Sequence, residues 1–121
     1  MGRGRGRLFP EYEFKFTGHR PASVSIAGRR YVVKSWRDIL LNSCEFVYAM
    51  NPSAFPKILE LRGTKRVWFS RRANQLWEPI KIQGTDIFVD VNLNANGLVN
   101  RSLRVLRLFG LKPKIDIFLK K

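Results

Sequence analysis

The sequence predicts a single α+β domain in which two main helices pack on a mainly antiparallel sheet. The chain has 121 residues, a length that suits one domain, and 45% of them are hydrophobic, so a core can form without disulfides or metals. Segments with strand-like patterns flank two segments with helical periodicity. Because short turns join neighbouring strands, the sheet is expected to be mainly antiparallel, and it covers the apolar faces of the helices.

The first ten residues are predicted to form a disordered basic arm. Glycine and arginine alternate directly after the first methionine. Glycine leaves the backbone free and packs against nothing, while arginine supplies charge. The arm covers residues 1–10 and can follow a phosphate backbone with Arg3, Arg5 and Arg7. The folded domain then covers residues 11–121.

Three strands are predicted after the arm. Charged and aromatic residues alternate over residues 11–17, which is typical of a half-buried strand. Two β-branched runs within residues 24–33 lie on either side of Gly28 and predict a hairpin. Arg29 and Arg30 lie at the tip of that hairpin, where their charges are expected to face solvent.

The first main helix is predicted over residues 35–50. Ser35 and Asp38 form a variant of the capping box, in which an acidic residue in the first turn stabilises the helix start. Cys44 lies in the middle of this helix among apolar neighbours, so it is predicted to be a small core residue and not a nucleophile. A second, short helix is predicted to follow and to end at Gly63.

The densest basic cluster of the folded part surrounds a predicted strand, residues 67–69. Five basic residues flank this strand: Arg62, Lys65, Arg66, Arg71 and Arg72. Trp68 is predicted to belong to the core because it lies within an apolar strand, and base stacking is the alternative for both Trp68 and Trp77. A hairpin is predicted over residues 79–91, with its turn around Gly84.

The second main helix is predicted over residues 95–109. Asparagines before it can cap its first turn, Gly110 ends it, and a last strand follows at residues 115–119. Arginines recur at every third position on the side opposite the apolar stripe: Arg101, Arg104 and Arg107. Steps of three keep these side chains on one side of a helix, so they form a basic ridge.

The charge balance of the chain is lopsided. It has 23 Lys and Arg residues against 9 Asp and Glu residues, which gives a formal net charge of +14. A compact domain with this excess repels itself, and a polyanion is the usual partner. The planar fork of arginine is suited to phosphate. The predicted nucleic-acid contacts are therefore Arg3, Arg5, Arg7, Arg29, Arg30, Arg62, Lys65, Arg66, Arg71, Arg72, Arg101, Arg104 and Arg107.

No catalytic, cofactor or metal site is predicted. The only histidine, His19, and the only cysteine, Cys44, lack the spacing of metal ligands. A metal-dependent nuclease is the enzyme alternative, because Asp86 and Asp90 bracket a strand. Four positions along a strand separate two residues by about 13 Å, which is too far for one metal ion. No small-molecule substrate is predicted, and no apolar run approaches the roughly 20 residues of a membrane-spanning helix.

Four short motifs between Gly28 and Leu111 carry a resemblance to a known type of module. They are Ser35-Trp36 followed by Asp38 and Leu40, the run from Lys57 to Gly63, Phe69-Ser70-Arg71, and the run from Asp90 to Ala95. The chain resembles a small prokaryotic αβ module that occurs with restriction-like, defence and mobile-element proteins. The motifs consist of caps, turns and core positions. The resemblance therefore implies a prokaryotic or viral setting near DNA transactions, and it carries over no catalytic residue.

The predicted function is that of a small, non-enzymatic protein that contacts the phosphate backbone of a nucleic acid, with double-stranded DNA favoured. A single cysteine fits a reducing compartment, so a cytoplasmic protein associated with the nucleoid or a ribonucleoprotein is expected. One alternative is a structural RNA-binding protein of a ribosome or another large nucleoprotein complex, where basic arms lie between RNA helices. The second alternative is the metal-dependent nuclease.

Overall fold

The computed structural model describes residues 7–8, 16 and 18–120, and it confirms the predicted α+β class. Two α-helices, two 3₁₀ helices and seven short strands make up this part of the chain. In chain order they are β1 (Arg7–Leu8), β2 (Pro21–Ile26), β3 (Arg29–Val32), α1 (Trp36–Met50), a 3₁₀ helix (Pro52–Glu60), β4 (Phe69–Ser70), a 3₁₀ turn (Ala73–Gln75), β5 (Pro79–Lys81), β6 (Phe88–Asp90), α2 (Ala95–Leu108) and β7 (Ile115–Leu119). Both main helices and the last strand lie where the sequence predicts them.

The strands form two antiparallel sheets. The first sheet has the order β1-β7-β2-β3, so the C-terminal strand lies between two strands from the start of the chain. Its central pairing places Val24 opposite Ile117, and both side chains are fully buried. The second sheet has the order β4-β6-β5, with the β5–β6 hairpin predicted from the turn around Gly84. Strand order depends on contacts between distant segments, and local patterns do not encode it.

The core lies between the two α-helices and the sheets. Helix α1 begins where Asp38 accepts hydrogen bonds from the backbone N–H groups of Lys34 and Ser35, at 2.9 and 3.2 Å. In the middle of α1, Cys44 is fully buried, as predicted for a core residue. Burial raises the pKa of its thiol, with a smaller contribution from the negative charge of Glu45, so the thiol stays protonated at neutral pH.

The segment between α1 and β4 differs from its prediction. The short helix is a 3₁₀ helix that ends at Glu60, before Gly63, because Leu61 has an extended backbone with φ −79° and ψ 116°. The chain then turns back on itself: Arg62 and Val67 form a β-bridge, and the N–H of Gly63 donates to the carbonyl of Arg66 at 3.0 Å. Val67 belongs to this turn. The following strand is therefore Phe69–Ser70, and it begins later than the predicted strand at residues 67–69.

Most of the predicted arm and first strand lie outside the described residues. Within the predicted arm, the backbone of Arg7 and Leu8 pairs with β7, so the chain is attached to the first sheet at that point. Within the predicted strand at residues 11–17, Phe16 is buried and its ring lies 4.6 Å from that of Trp36, measured between centroids. The arm and this strand otherwise stay predictions.

Candidate functional site

Three arginines of the described residues lie against the rings of two tryptophans. The guanidinium carbon of Arg101 lies 3.7 Å from the ring centroid of Trp68, and that of Arg104 lies 5.3 Å from the same ring. The guanidinium carbon of Arg66 lies 4.9 Å from the ring centroid of Trp77. These distances are within the range of cation–π attraction. We refer to these five residues as the Arg–Trp cluster.

Helix α2 supplies two of the arginines. Its start is capped by the side-chain oxygen of Asn94, which accepts a hydrogen bond from the N–H of Gly97 at 2.8 Å. Arg101 and Arg104 are three residues apart and therefore lie next to each other on one side of the helix. Arg107 follows one turn later and is exposed. The predicted ridge of three arginines is thus present on α2, and its first two members contact Trp68.

The same helix face continues into a shallow groove beyond Trp68. This groove has a volume of about 310 Å³ and is lined by Asn100, Leu103, Arg104 and Arg107. Two of its four lining residues are arginines, so the groove is electropositive. It extends the Arg–Trp cluster along α2 and can accept an anionic group next to the cluster.

Trp68 lies at the boundary between core and surface. It precedes β4, and its carbonyl accepts a hydrogen bond from the N–H of Asp90 at 3.0 Å, which continues the β4–β6 pairing. The side chain is partly buried and packs against the core, so the prediction that Trp68 belongs to the core is confirmed only in part. The other part of the ring supports the guanidinium of Arg101. A β-carbon at position 63 would lie 3.1 Å from the indole nitrogen of Trp68, so Gly63 leaves the space that this ring occupies.

Asp90 organises the loops around the cluster. Its side chain is 2% exposed and forms a 2.8 Å salt bridge with Arg66. Three backbone N–H groups also donate to its carboxylate: those of Trp77 and Glu78 at 3.1 Å and that of Asn92 at 3.0 Å. Burial alone raises the pKa of a carboxyl group, but these hydrogen bonds and Arg66 outweigh it and lower the pKa of Asp90. Asp90 is therefore ionised at neutral pH.

Trp77 is the most exposed aromatic residue for which the structure gives a side-chain position, with 74% of its surface accessible. Its backbone is nevertheless held on both sides. Leu76 is buried before it, and Glu78 after it forms a 2.7 Å salt bridge with Arg37 on α1. The N–H of Trp77 itself is bound by Asp90. The indole ring is thus presented to solvent from a fixed backbone.

The electrostatics of Arg101 distinguish it from an ordinary surface arginine. Burial lowers the pKa of Arg101 to about 10, and the nearby positive charges of Arg66 and Arg104 act in the same direction. The negative charge of Asp90 acts in the opposite direction but does not outweigh burial and the two neighbouring arginines. Within the described part of the chain, Arg101 and Arg104 form no salt bridge.

The guanidinium of Arg101 remains accessible although the residue is partly buried. No buried side-chain nitrogen or oxygen of the described residues lacks a hydrogen-bond partner. Since the structure shows no hydrogen bond from the side chain of Arg101, its nitrogen atoms reach solvent. Arg66, Arg101 and Arg104 together carry three positive charges, and the neighbouring carboxylate of Asp90 offsets one. The arrangement can bind an oxyanion with charge-assisted hydrogen bonds.

The other basic residues predicted around β4 do not all lie at the Arg–Trp cluster. Arg62 and Lys65 are exposed on the turn that leads into Trp68. Arg71 forms a 3.0 Å salt bridge with Asp86 at the opposite end of the β4–β6 ladder, and Arg72 beside it is exposed. The cluster predicted from residues 62–72 is therefore divided between the two ends of β4.

Arg29 and Arg30 belong to the first sheet. Arg29 is exposed at the β2–β3 turn, while Arg30 donates to the hydroxyl of Ser23 at 3.1 Å and lies 5.0 Å from the ring centroid of Phe118. Of the predicted arm residues, Arg3 and Arg5 lie outside the described residues, and only the backbone of Arg7 is described. Among the described residues, the structure shows no contact between Arg29 or Arg30 and the Arg–Trp cluster.

Sequence patterns missed the part that Asp90 has in shaping the cluster, and for Trp77 they left core packing and base stacking as alternatives. The sequence did contain a signal for Asp90, which is an acidic residue within an apolar strand. A carboxylate that is buried in this way requires several hydrogen-bond donors around it. The apolar residues on either side of Trp68 indicated that it is buried, but no local signal indicated how far each ring is exposed. Their difference depends on which segments pack over each ring.

The carboxylates considered for a nuclease are each engaged with arginine. Asp86 pairs with Arg71, and Asp90 pairs with Arg66 at the other end of β6. Over residues 7–8, 16 and 18–120, no three His, Cys, Asp or Glu residues lie close enough together to hold a metal ion. The two acidic residues therefore serve in separate ion pairs, and the structure does not bring them together.

Comparisons of this chain with protein-family models, curated proteins and solved structures find no match. The resemblance to the prokaryotic αβ module accordingly stays a prediction. In the part of the chain that the structure describes, no helix combines the length and the apolar character that crossing a membrane requires.

Proposed function

We propose that this protein binds nucleic acid by seating backbone phosphates on the Arg–Trp cluster. The observation that carries the proposal is Arg101. Its guanidinium is partly desolvated and has cationic neighbours but no salt bridge among the described residues, and its central carbon lies 3.7 Å from the ring centroid of Trp68. Such a charge is unfavourable in the free protein. A phosphate group neutralises it and accepts its hydrogen bonds.

A polymer of phosphates fits the surface better than a single anion does. Arg62 and Lys65 continue the positive charge on one side of the cluster, and Arg107 continues it along α2. None of these three residues forms a salt bridge within the described part of the chain. The net charge of +14 adds a long-range attraction for polyanions. Double-stranded DNA in a prokaryotic or viral setting is the ligand favoured by the sequence, and structured RNA offers the same phosphate chemistry.

The test is the salt dependence of binding. If about 6–8 phosphates are engaged, the plot of log K against log salt concentration for duplex DNA has a slope of about −5 to −7. Arg101→Met should reduce the magnitude of this slope by about one and weaken binding, because one phosphate contact is lost. Fluorescence anisotropy with a labelled duplex, repeated at several NaCl concentrations, measures both quantities.

Two controls separate a local contact from general loss of charge. Lys120→Met removes the same charge from an exposed residue at the end of β7 and should leave affinity and slope nearly unchanged. Arg101→Met should also change the melting temperature by less than about 4 °C, since it removes a partly desolvated, unfavourable charge along with a favourable cation–π contact. Binding that does not depend on salt, or equal effects of the two variants, would contradict the proposal.

A further inference from the structure

The indole ring of Trp77 is exposed in a way that packing does not explain. Trp36 donates from its indole nitrogen to the carbonyl of His19 at 3.0 Å, and Trp68 packs against the core. Trp77 has neither kind of contact: 74% of its surface is accessible, and its indole N–H has no partner among the described residues. Tryptophan is enriched at binding interfaces, because its large apolar ring can be covered by a partner while its indole N–H donates a hydrogen bond.

The exposed ring is held in place by the residues around it. The hydrogen bond from the N–H of Trp77 to Asp90 is 3.1 Å long, and the next N–H, that of Glu78, donates to the other oxygen of the same carboxylate. Arg66, which is also bound to Asp90, lies over the indole at 4.9 Å from its centroid. Little backbone entropy is therefore lost when a partner binds the ring, so the ring is preorganised for contact.

The position of Arg66 connects this ring to the phosphate site. Arg66 contacts Trp77, and it is close enough to Arg101 to lower the pKa of Arg101. Arg66 therefore lies near both positions, so one ligand could place a flat group on Trp77 and an anionic group on Arg101. A nucleotide combines these two features, because its base is a flat aromatic ring and its phosphate is an anion. Aromatic side chains next to basic residues are the usual means of binding single-stranded nucleic acid.

We propose that Trp77 stacks on an unpaired base of the nucleic acid whose phosphates lie on Arg101 and Arg104. The inference rests on the proposed function and specifies the ligand further. Bases inside an intact duplex are stacked on each other and offer no free face, so the site selects nucleic acid with at least one unpaired base, such as a single strand, a loop or a frayed end. Phosphates alone give affinity without this selectivity.

The experiment compares three labelled DNA probes of equal phosphate number: a single strand, the same strand with abasic sites in its central half, and a blunt duplex. Trp77→Ala should weaken binding of the intact single strand about tenfold, which corresponds to about 1.4 kcal/mol. It should change binding of the abasic strand and of the duplex less than about twofold. The salt slope should stay the same, since no charge is removed.

Two further variants control for general effects of truncation. Val32 is 83% exposed on the edge strand β3 of the other sheet, and Val32→Ala should leave all three affinities unchanged. Trp77→Phe keeps an aromatic face and should restore part of the affinity for the intact strand. Circular dichroism verifies that both Trp77 variants remain folded, which is expected because the side chain is exposed.

The outcomes distinguish the two proposals. In one outcome, binding of every probe depends steeply on salt and is weakened by Arg101→Met, but Trp77→Ala changes the affinities for the three probes equally. The phosphate site then stands, and the base-stacking inference is overturned. If Trp77→Ala changes none of them, the inference is also overturned, and the ring becomes a candidate contact for a protein partner. If no probe binds at low salt, both proposals fail.

Discussion

Asp90 shows at the scale of one residue how a buried charge can organise a surface site. Its carboxylate, 2% exposed, joins Arg66 to the backbone of the segment that carries Trp77. A hydrogen bond to a charged group contributes more than one between neutral groups, and an unpaired buried donor is costly. Asp90 therefore does two things at once: it stabilises the second sheet at the end of β6, and it sets the geometry of the Arg–Trp cluster.

Removing the Asp90 carboxylate should destabilise the fold. We expect Asp90→Ala to lower the free energy of unfolding by about 3 kcal/mol, because three backbone N–H groups and Arg66 lose their acceptor. Asp86→Ala is the matched control: the Asp86 side chain is 72% exposed in its salt bridge with Arg71, so its loss should cost less than about 1 kcal/mol. Urea denaturation measures both, and equal losses would contradict a structural role for Asp90.

The acid dependence of stability gives an independent check with Asp90→Asn. Because the pKa of Asp90 is lowered in the folded protein, its contribution is present above the unfolded pKa of about 3.9 and is lost as the pH falls through the folded value. The wild type should thus exceed Asp90→Asn in stability at pH 7, and the difference should shrink below about pH 4. If the stability difference between the wild type and Asp90→Asn instead grew below about pH 4, a lowered pKa of Asp90 could not be its cause.

At the scale of elements, the turn between β5 and β6 is fitted to helix α1. Gly84 has φ +87°, a conformation that residues with a β-carbon rarely adopt. The hydroxyl of Tyr48 on α1 donates to the carbonyl of Gly84 at 3.0 Å, and Thr85 closes the turn with a 3.0 Å bond from its N–H to the carbonyl of Ile82. The turn thereby attaches the second sheet to α1 on the side away from Asp90.

Substitutions at two turn glycines should separate backbone strain from crowding. Gly84→Ala should destabilise the protein by about 2 kcal/mol, since it combines a positive φ with a β-carbon placed 3.1 Å from the Tyr48 ring. Gly28→Ala also has a positive φ, +81°, but its β-carbon meets open space. It should cost about 1 kcal/mol. Thermal denaturation of both variants tests this, and a larger loss at Gly28 would be inconsistent with the packing of the turn on α1.

At the scale of the whole molecule, the excess of positive charge opposes folding. The chain has 23 basic and 9 acidic residues, and three of the acidic ones, Glu78, Asp86 and Asp90, are already engaged in salt bridges with arginine. The remaining positive charges repel one another in the compact state more than in the unfolded chain. A bound polyanion relieves this repulsion, and dissolved salt screens it.

The melting temperature should therefore rise with ionic strength in the absence of ligand. Between about 20 mM and about 300 mM NaCl we expect an increase of about 3–5 °C, because the Debye length falls well below the size of the domain. The double variant Lys57→Gln, Lys81→Gln removes two exposed charges outside the Arg–Trp cluster and should show a smaller increase. A melting temperature that falls with salt would mean that ion pairs dominate over repulsion.

The sequence by itself determined the order and type of most elements. Caps such as Asp38 and Asn94, the turn at Gly84 and the alternation of β-branched residues act within a few positions, so local patterns contain the information for both main helices, the β2–β3 and β5–β6 hairpins and the last strand. Composition likewise determined the charge, and with it the expectation of a polyanionic partner. The end of the short helix was misplaced, because the backbone is already extended at Leu61, where the chain enters the β-bridge between Arg62 and Val67.

Only the tertiary structure decided which of the basic residues lie together in the Arg–Trp cluster. The Arg–Trp cluster joins the turn before β4, the loop before β5 and one side of α2, with Asp90 at the end of β6 between them. Sequence patterns report on neighbours three or four positions apart, whereas these residues are brought together by strand pairing and helix packing. The same reason explains why Trp68 is half-buried and Trp77 exposed: burial depends on which distant segments pack over a ring, and that is settled only when the chain is folded.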